Sequence, residues 1–429
     1  MLIKELQSNC RIWQNGGLKV SSRDWVYEKF CAFYKKPSYV FPSPVGFSER
    51  EFAFLLFKER VMVRHKGFAS PTALGFFIRD RIPSDVYHSC AYYENPEAEM
   101  DKKGWSGADL VFDIDADHIP TSCNKIHDEW TCGNSQCGFN GKGITPETCP
   151  ICGGEKFETK TWPCDLCIDS AKEETRKLVD MLENDFGFSD KEIRTFFSGH
   201  RGYHIHVENE AVRSLDTMAR KEIVDYVSGI GLALFGKARK DEPKRKLSRK
   251  AFSLNDYGWN KRLKLGMQRL ILKATKEDLK NLGVRSGAAV LKNRELILRR
   301  CLEENRWNSV KGVSVETWTR LAEHVKNQES AKIDTVVTSD IHRLIRANGT
   351  LHGKTGLLKV EFPVKDLDDF DPFKEAVAFK EGTAKVLVSD APEFRLGGET
   401  FGPYKKQQVL LPTAAAVLLI CKGRAEVLN

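Results

Sequence analysis

The sequence predicts a protein that contains both helices and strands, an α/β fold in the broad sense and of the α+β class. Its core would be a mixed sheet with flanking helices, and a cysteine-rich insertion and an α-helical subdomain would interrupt this core. Short β-branched and aromatic runs alternate with amphipathic stretches, which indicates strands and helices in one core. Seven of the twelve cysteines lie between Cys123 and Cys167, and residues 213–328 lack strand signals. A chain of 429 residues is long enough for such a core and for smaller additional units.

The first element that indicates chemistry is an acidic strand, Leu110–Asp117. Successive side chains of a strand point to opposite faces, so Asp113 and Asp115 share one face with Val111. Two neighbouring carboxylates repel each other unless a cation lies between them. Mg²⁺ and Mn²⁺ accept such oxygen ligands together with substrate phosphates. The alternative is an edge strand with a solvated acidic face.

Two cationic turns follow the acidic strand. The segment Thr195–Val207 predicts two strands around a glycine-bounded turn, whose hydroxyl, glycines and arginine suit a phosphate group. Further on, the β-branched run Ile333–Thr338 surrounds the single acid Asp334 and predicts a return to the sheet. A second cationic turn, Leu351–Gly356, comes after it.

These three blocks, in this order, resemble the small, catalytic subunit of archaeal and eukaryotic-type DNA primase, and the resemblance is closest to archaeal members. It extends from about residue 50 to about residue 360 and implies a primase-type catalytic core. The matching motifs are Arg50–Phe54, Phe112–Asp115, Ser198–His204, Ile333–Asp334 and Arg343–Gly353.

The resemblance also implies roles for individual residues. The catalytic, metal-binding carboxylates would be Asp113, Asp115 and Asp334, holding Mg²⁺ or Mn²⁺. One difference is His200, which stands where eukaryotic members often carry arginine. The triphosphate of the incoming nucleotide would be held by Ser198, His200, Arg201, His204, Arg346 and His352.

The cysteine spacing predicts zinc sites. Two pairs on tight turns, Cys132/Cys137 and Cys149/Cys152, are typical of a four-cysteine zinc ribbon. The thiolates of Cys123, Cys164 and Cys167 need a fourth ligand, for which His127 is the first candidate and His118 the alternative. Archaeal primase small subunits carry a similar Cys, His, Cys-x2-Cys site after the acidic strand, which implies that the ribbon is inserted into that site's loop. Two closed sites predict two structural zinc ions.

The order of these features predicts the domain organisation. Strands are expected at Phe52–Phe57 and Val61–Val63, and an Asp169-Ser170 cap predicts a helix at Ala171–Asp185. Other helices are expected at Arg23–Tyr34, Met218–Leu234, Lys276–Leu282 and Val290–Glu303. The expected divisions are catalytic core at 1–121, zinc-binding insertion at 122–168, core again at 169–212, helical subdomain at 213–328 and core at 329–429.

Charge and hydropathy restrict the partners. The chain has 67 Lys and Arg against 59 Asp and Glu, a net charge of +8 that suits a polyanionic partner. The basic run Lys237–Lys250 is either a solvated loop or a contact with a template backbone. Trp259, Trp307 and Trp318 either stack on bases or lie in a core.

The start of the chain does not read as a signal peptide and Ala414–Cys421 is too short for a membrane span, so no membrane partner is expected. The expected location is cytoplasmic, associated with the nucleoid if archaeal.

The expected function follows from the resemblance. The chain would synthesise short RNA or DNA primers from nucleoside triphosphates on a single-stranded DNA template by two-metal-ion nucleotidyl transfer. It would work as a heterodimer with a large subunit that carries an iron–sulfur cluster. One alternative is a primase-polymerase or end-joining polymerase of the same superfamily. The other is a noncatalytic zinc-ribbon protein that binds nucleic acid.

Overall fold

The computed structural model describes residues 20–232, 257–302 and 310–428. This part of the chain divides into two compact units. The larger unit contains the described parts of Met1–Glu173, Asp190–Arg220 and Ile333–Asn429, and the smaller contains those of Glu174–Ser189 and Lys221–Lys332. Every candidate site residue predicted from the sequence lies in the larger unit.

The α+β class is confirmed, but the predicted mixed sheet is replaced by separate sheets. In the described residues all strand pairs within these sheets are antiparallel. The first four-stranded sheet has the order β12-β3-β1-β2 and contains β1 (Phe52–Leu56), β2 (Met62–Lys66), β3 (Pro83–Ser89) and β12 (Leu344–Arg346). The second has the order β13-β10-β11-β6 and contains β6 (Leu110–Asp115), β10 (Ile193–Phe197), β11 (Gly202–Val207) and β13 (Val360–Phe362).

Smaller sheets complete the larger unit. They are formed by β4 (Ala91–Tyr93) with β5 (Trp105–Ala108), by β7 (Glu129–Cys132) with β8 (Asn140–Lys142) and β9 (Phe157–Lys160), by β14 (Thr383–Ala391) with β17 (Tyr404–Pro412) and β18 (Ala425–Val427), and by β15 (Phe394–Leu396) with β16 (Glu399–Phe401).

The helices are distributed over both units. In chain order they are α1 (Ser22–Tyr34), α2 (Pro71–Arg81), α3 (Asn124–His127), α4 (Asp165–Asn184), α5 (Glu210–Arg213), α6 (Thr217–Val227), α7 (Gly258–Lys273), α8 (Lys276–Asn281), α9 (Gly287–Lys292), α10 (Arg294–Leu302), α11 (Val315–Glu329), α12 (Thr335–Ser339), α13 (Pro372–Glu375) and α14 (Thr413–Cys421).

The first sheet is covered by an aromatic core. Phe52 and Phe54 of β1 and Phe30 of α1 are fully buried in one hydrophobic cluster. Phe54 and Phe77 pack with ring centroids 4.6 Å apart. The side chain of Ser21 caps α1 by accepting a hydrogen bond from the Asp24 amide, so the helix begins one residue before the predicted Arg23.

The second sheet presents the acidic strand. Phe112 and Ile114 of β6 are fully buried, while Asp113 and Asp115 point to the other face. On the neighbouring strand β11, His204 lies opposite Asp113. The period of two therefore places the acids and this histidine on one face of the sheet.

One predicted strand is wrong, because the segment after Ile333 forms a helix. The β-branched residues Thr335–Thr338 belong to α12, and Asp334 is its N-cap. The Asp334 carboxylate accepts hydrogen bonds from the amides of Val336 and Val337, at 2.9 and 3.3 Å. Capping satisfies the free amides of the first turn and here outweighs the strand preference of the side chains.

The helix predicted at Ala171–Asp185 also begins earlier than expected. It starts at Asp165, so Cys167 falls in its first turn and Cys164 directly precedes it. Ser170 is not a cap, because its hydroxyl donates to the Leu166 carbonyl one turn back, at 2.7 Å. The Cys-x2-Cys spacing of this segment is thus the spacing of a helical turn.

The smaller unit is helical in its described residues. The helix predicted at Val290–Glu303 is divided into α9 and α10, and the one predicted from Met218 runs over Thr217–Val227. Trp259 and Trp318 are 6% and 1% exposed, which agrees with a core role. The basic run Lys237–Lys250 and Trp307 lie outside the described residues.

The C-terminal segment, for which the residue pattern predicts no definite elements, is a sheet covered by a helix. Strand β14 pairs with β17 on one side and with β18 on the other. Helix α14 is apolar and largely buried, and it ends at Cys421, directly before Lys422. Among the described residues, no helix has both the length and the apolar character that crossing a membrane requires.

Candidate active site and metal clusters

The three predicted carboxylates converge at one edge of the second sheet. Asp113 and Asp115 come from β6, and the Asp334 amide donates to the Asp113 carbonyl at 2.8 Å. This bond fixes the start of α12 beside the acidic strand. Burial, together with the negative charges of Asp115 and Asp334, raises the pKa of Asp113 to about 7. Because the ionised carboxylate of Asp113 is unfavourable here without a counter-charge, the site favours a bound cation.

The carboxylates are held by local hydrogen bonds. Asp115 accepts from the Asp117 amide at 2.9 Å, and Asp334 caps α12. Among the described residues, groups of three or more ligand atoms within 4.8 Å of one another occur only in the two cysteine-rich sets, so the three carboxylates lie further apart than that.

His204 lies against the first carboxylate. Its Nε2 is 3.5 Å from an oxygen of Asp113. Burial lowers the pKa of His204 well below its usual range, and the charges of Lys359 and Arg346 lower it further, so the imidazole is neutral. Its Nδ1 is buried and has no hydrogen-bond partner among the described residues. The ring can therefore offer a polar atom to a bound group.

The two cationic turns meet at a glycine. Gly199 has a φ of +86°, and a Cβ at this position would lie 3.0 Å from the Cβ of His352. The His200 and His352 rings stack with centroids 5.2 Å apart and an interplanar angle of 22°. Ser198 accepts from the His200 amide at 3.3 Å. The structure thus brings Ser198, His200 and His352 together.

The sequence analysis missed Lys422, which joins these histidines from the end of α14. Its Nζ is 2.6 Å from Nε2 of His200. Burial lowers the pKa of Lys422 to about 7, and the charges of Arg201 and Lys354 contribute. No motif marks this lysine, because it lies 222 positions from His200 in the chain. Four basic side chains, His200, His352, Lys354 and Lys422, therefore surround one region of the site.

Arg346 is placed differently from the expected free cation. Its guanidinium is buried and donates to Asp85 at 2.5 Å and to the Leu351 carbonyl at 3.3 Å. Burial opposes the ionisation of Asp85, but the charges of Arg346 and His352 and the Gly353 amide hold its pKa at about 2. Arg346 therefore fixes the second turn against β3, and Asp85 is a second residue that the sequence analysis missed.

Arg201 is also engaged by the protein itself. Its side chain is 1% exposed and pairs with Asp117 and with Asp128, the latter at 2.8 Å. Its Nε is 3.8 Å from an oxygen of Asp115. The structure brings Arg201 beside Asp115, one of the three predicted carboxylates, and its guanidinium pairs with the neighbouring acids Asp117 and Asp128.

The cysteine-rich segment forms two separate four-residue clusters. The ribbon cluster is Cys132, Cys137, Cys149 and Cys152, and the His127 cluster is Cys123, His127, Cys164 and Cys167. His127, rather than His118, completes the second set, with its Nε2 3.3 Å from the Cys164 sulfur. In the ribbon cluster the sulfurs of Cys132 and Cys152 are 3.5 Å apart. Four thiolates, or three with an imidazole, at this separation fit a tetrahedral zinc ion.

Comparison with known proteins identifies the family. The DNA primase small subunit of Methanococcoides burtonii is 32% identical over 95% of this chain and 99% of its own length. This chain belongs to the DNA primase small subunit family, archaeal type. The corresponding subunits of Nitrosopumilus maritimus and Methanoregula boonei are 31% and 33% identical over 93% and 95% of this chain, and over 96% and 99% of their own. The family model for the DNA primase small subunit matches residues 158–364.

Membership in the primase small subunit family agrees with the expectation from the sequence motifs. The chain is a catalytic primase subunit of DNA replication, a nucleotidyltransferase. The acidic strand and Cys123 lie before the matched residues 158–364, while the turn at Ser198–His204 and Asp334 lie within them.

Proposed function

We propose that the Asp113, Asp115 and Asp334 carboxylates hold two Mg²⁺ or Mn²⁺ ions and that this site adds nucleotides to a primer on a single-stranded DNA template. The primers would be short RNA or DNA. When bound, the ions would lower the pKa of the primer 3′-hydroxyl and stabilise the charge that develops on the α-phosphate and the leaving oxygen. The observation that carries the proposal is the approach of the Asp115 and Asp334 carboxylates to Asp113, whose pKa they and burial raise to about 7.

The basic side chains around His200 would bind the triphosphate. His200, His352 and Lys422 lie on two turns and a helix end that meet beside the carboxylates. The Nδ1 of His200 is 4.0 Å from an oxygen of Asp115, so phosphates held here would reach ions held by the carboxylates. The Lys422 ammonium and the N–H groups of the two histidines, placed in advance of the reaction, would stabilise the charge on the leaving pyrophosphate. Arg346 and Arg201 would support this geometry from behind rather than contact the phosphates.

We further propose that each cysteine cluster holds one zinc ion. Both clusters supply four ligands and leave no open position, which is typical of structural zinc. The thiolates and imidazole would hold the two loops of the insertion in place. We also propose that a primase large subunit is the partner of this chain in the cell.

Primer synthesis on unprimed single-stranded DNA tests the proposed reaction. Asp113→Asn, Asp115→Asn and Asp334→Asn should each reduce incorporation of labelled nucleotide by at least about 100-fold, because each removes a ligand charge from the transition state. The matched control is Asp190→Asn, an exposed acid outside the strand and helix that carry the three carboxylates, which should retain wild-type activity. Near-normal synthesis by any of the three site variants would contradict the assignment.

A further inference from the structure

We propose that Asp128 is a positioning residue that couples the His127 cluster to the catalytic carboxylates through Arg201. The part of this proposal that concerns activity rests on the proposed function. The part that concerns zinc retention does not, because it depends only on the contacts of Asp128 and Arg201 with the cluster.

The first step is the contact between Asp128 and a cluster ligand. Asp128 is 3% exposed, and its Oδ1 is 2.7 Å from Nδ1 of His127. This bond leaves Nε2 of His127 for the metal, and Nε2 lies 3.3 and 3.6 Å from the sulfurs of Cys164 and Cys167. A carboxylate that accepts from the second nitrogen of a ligating imidazole fixes the ring orientation and strengthens metal binding.

The second step is the contact between Asp128 and Arg201. Both oxygens of Asp128 accept from Nη1 of Arg201, at 3.0 and 2.8 Å. The same Nη1 is 3.8 Å from the sulfur of Cys167, so Arg201 also contacts a cluster ligand directly. One guanidinium therefore contacts two partners on the side of the cluster.

The third step is the contact of the same guanidinium with the acids at the end of the acidic strand. Nε and Nη2 of Arg201 donate to Asp117, and Nε is 3.8 Å from an oxygen of Asp115. In addition, the Arg201 carbonyl accepts from the Ala116 amide at 3.3 Å, directly after the acidic strand. Arg201 is therefore held between the zinc ligands and the end of the catalytic strand.

These contacts form one buried path from the zinc ligands to Asp115. Because Arg201 is 1% exposed, its charge cannot be solvated if a partner is removed, so a change at Asp128 must displace the guanidinium or its other carboxylates. Coupling through this path would be reciprocal, because each ion would change the binding free energy of the other by the same amount. Asp128 itself contacts neither substrate nor catalytic metal in this arrangement.

Four variants of the full-length, zinc-loaded protein test the coupling. Asp128→Asn removes the charge, Asp128→Glu displaces it and Arg201→Lys removes the planar group that bridges the two sites. Glu129→Gln is the control, since this neighbouring, half-buried acid has no part in the path.

Zinc release is followed with the chromogenic chelator 4-(2-pyridylazo)resorcinol in a Cys149→Ser, Cys152→Ser background, which leaves the His127 cluster as the zinc source. Primer extension is measured against Mg²⁺ concentration with the ribbon intact.

We expect Asp128→Asn to accelerate zinc release by about 10-fold or more, to raise the Mg²⁺ concentration for half-maximal extension and to lower kcat. Arg201→Lys should accelerate the same zinc release, and Glu129→Gln should match wild type in both measurements.

Faster zinc release by Asp128→Asn with unchanged Mg²⁺ dependence and kcat would overturn the coupling, as would normal zinc release by Arg201→Lys. If Asp128→Asn does not fold, Asp128→Glu and Arg201→Lys decide by the same measurements. A wild-type protein without extension activity would contradict the proposed function but leave the zinc measurement valid.

Discussion

At the scale of single residues, the charge environment of Asp113 is the most informative property of the site. Burial and two neighbouring acids raise the pKa of Asp113 to about 7, whereas His204 beside it is kept neutral. The pKa of the acid is raised and the pKa of the base is lowered, so both side chains favour their uncharged forms. A divalent ion reverses this balance for the carboxylate, because its positive charge stabilises the ionised form.

This shift predicts a pH-dependent stability without added Mg²⁺ or Mn²⁺. The pKa of Asp113 is higher in the folded protein than in the unfolded chain, so its contribution to stability is fully present below about pH 4 and is lost as pH rises through 7. We expect the melting temperature of the wild type to fall more between about pH 5 and pH 8 than that of Asp113→Asn. Calorimetry at several pH values checks this, with Asp190→Asn as the control. Equal pH slopes for wild type and Asp113→Asn would be inconsistent with the raised pKa.

At the scale of elements, the site is assembled from segment ends. The acidic strand β6 ends at Asp115, α12 begins at Asp334 and α14 ends before Lys422. Ends of helices and strands leave backbone groups free and side chains unhindered, which suits ligand binding. With Lys422 as a proposed triphosphate ligand, helix α14 would contribute to the active site, because this lysine directly follows it.

The position of Lys422 leads to a kinetic prediction. Lys422→Ala should raise KM for nucleotide by about 10-fold or more, because a buried charge-assisted hydrogen bond to phosphate is lost. Lys406→Ala, an exposed lysine on the neighbouring strand β17, is the control and should leave KM unchanged. Steady-state primer extension at varied nucleotide concentration provides both values. If Lys422→Ala has a wild-type KM, this lysine is not part of the triphosphate site.

The two cysteine clusters predict independent metal content. The purified protein should contain two zinc ions per chain, one for each cluster. Cys149→Ser with Cys152→Ser should release one ion, and Cys164→Ser with Cys167→Ser should release the other, because the clusters share no ligand. Elemental analysis by mass spectrometry counts the ions. A total of one zinc that either double variant removes would mean that the two sets form a single site.

At the scale of the whole molecule, primer initiation is more demanding than extension. Starting a primer requires two nucleotides to be ordered together without a bound 3′ end, and this ordering has a high entropic cost. The basic region around His200 is the one triphosphate site that we propose among the described residues. A partner that orders the first nucleotide would lower this cost.

We therefore expect the isolated chain to extend existing primers faster than it initiates new ones, and initiation to increase when the primase large subunit is added. Initiation and extension can be compared on the same template with labelled nucleotides, with and without the partner. Albumin at the same concentration controls for nonspecific stabilisation. Identical initiation rates in the two conditions would argue against a role of the partner in the first step.

The sequence by itself determined the features that depend on short spacings. The alternation of side chains along a strand is enough to place Asp113 and Asp115 on one face. The Cys-x2-Cys and Cys-x4-Cys spacings are enough to divide the cysteines into two ligand sets. These patterns are local, so a few residues are enough to fix them. The helix at Thr335–Ser339 was missed because a capping carboxylate overcame the side chains' strand preference.

Only the tertiary structure decided which charges neutralise one another. Arg201 pairs with Asp128 at a separation of 73 residues and Arg346 pairs with Asp85 at 261, while Lys422 reaches His200 across 222. Sequence motifs marked the arginines as cations but carried no information about these partners, because a buried charge selects its counter-ion by proximity in space. The structure shows that both arginines have buried carboxylate partners, and it places Arg201 between one cysteine cluster and the end of the acidic strand.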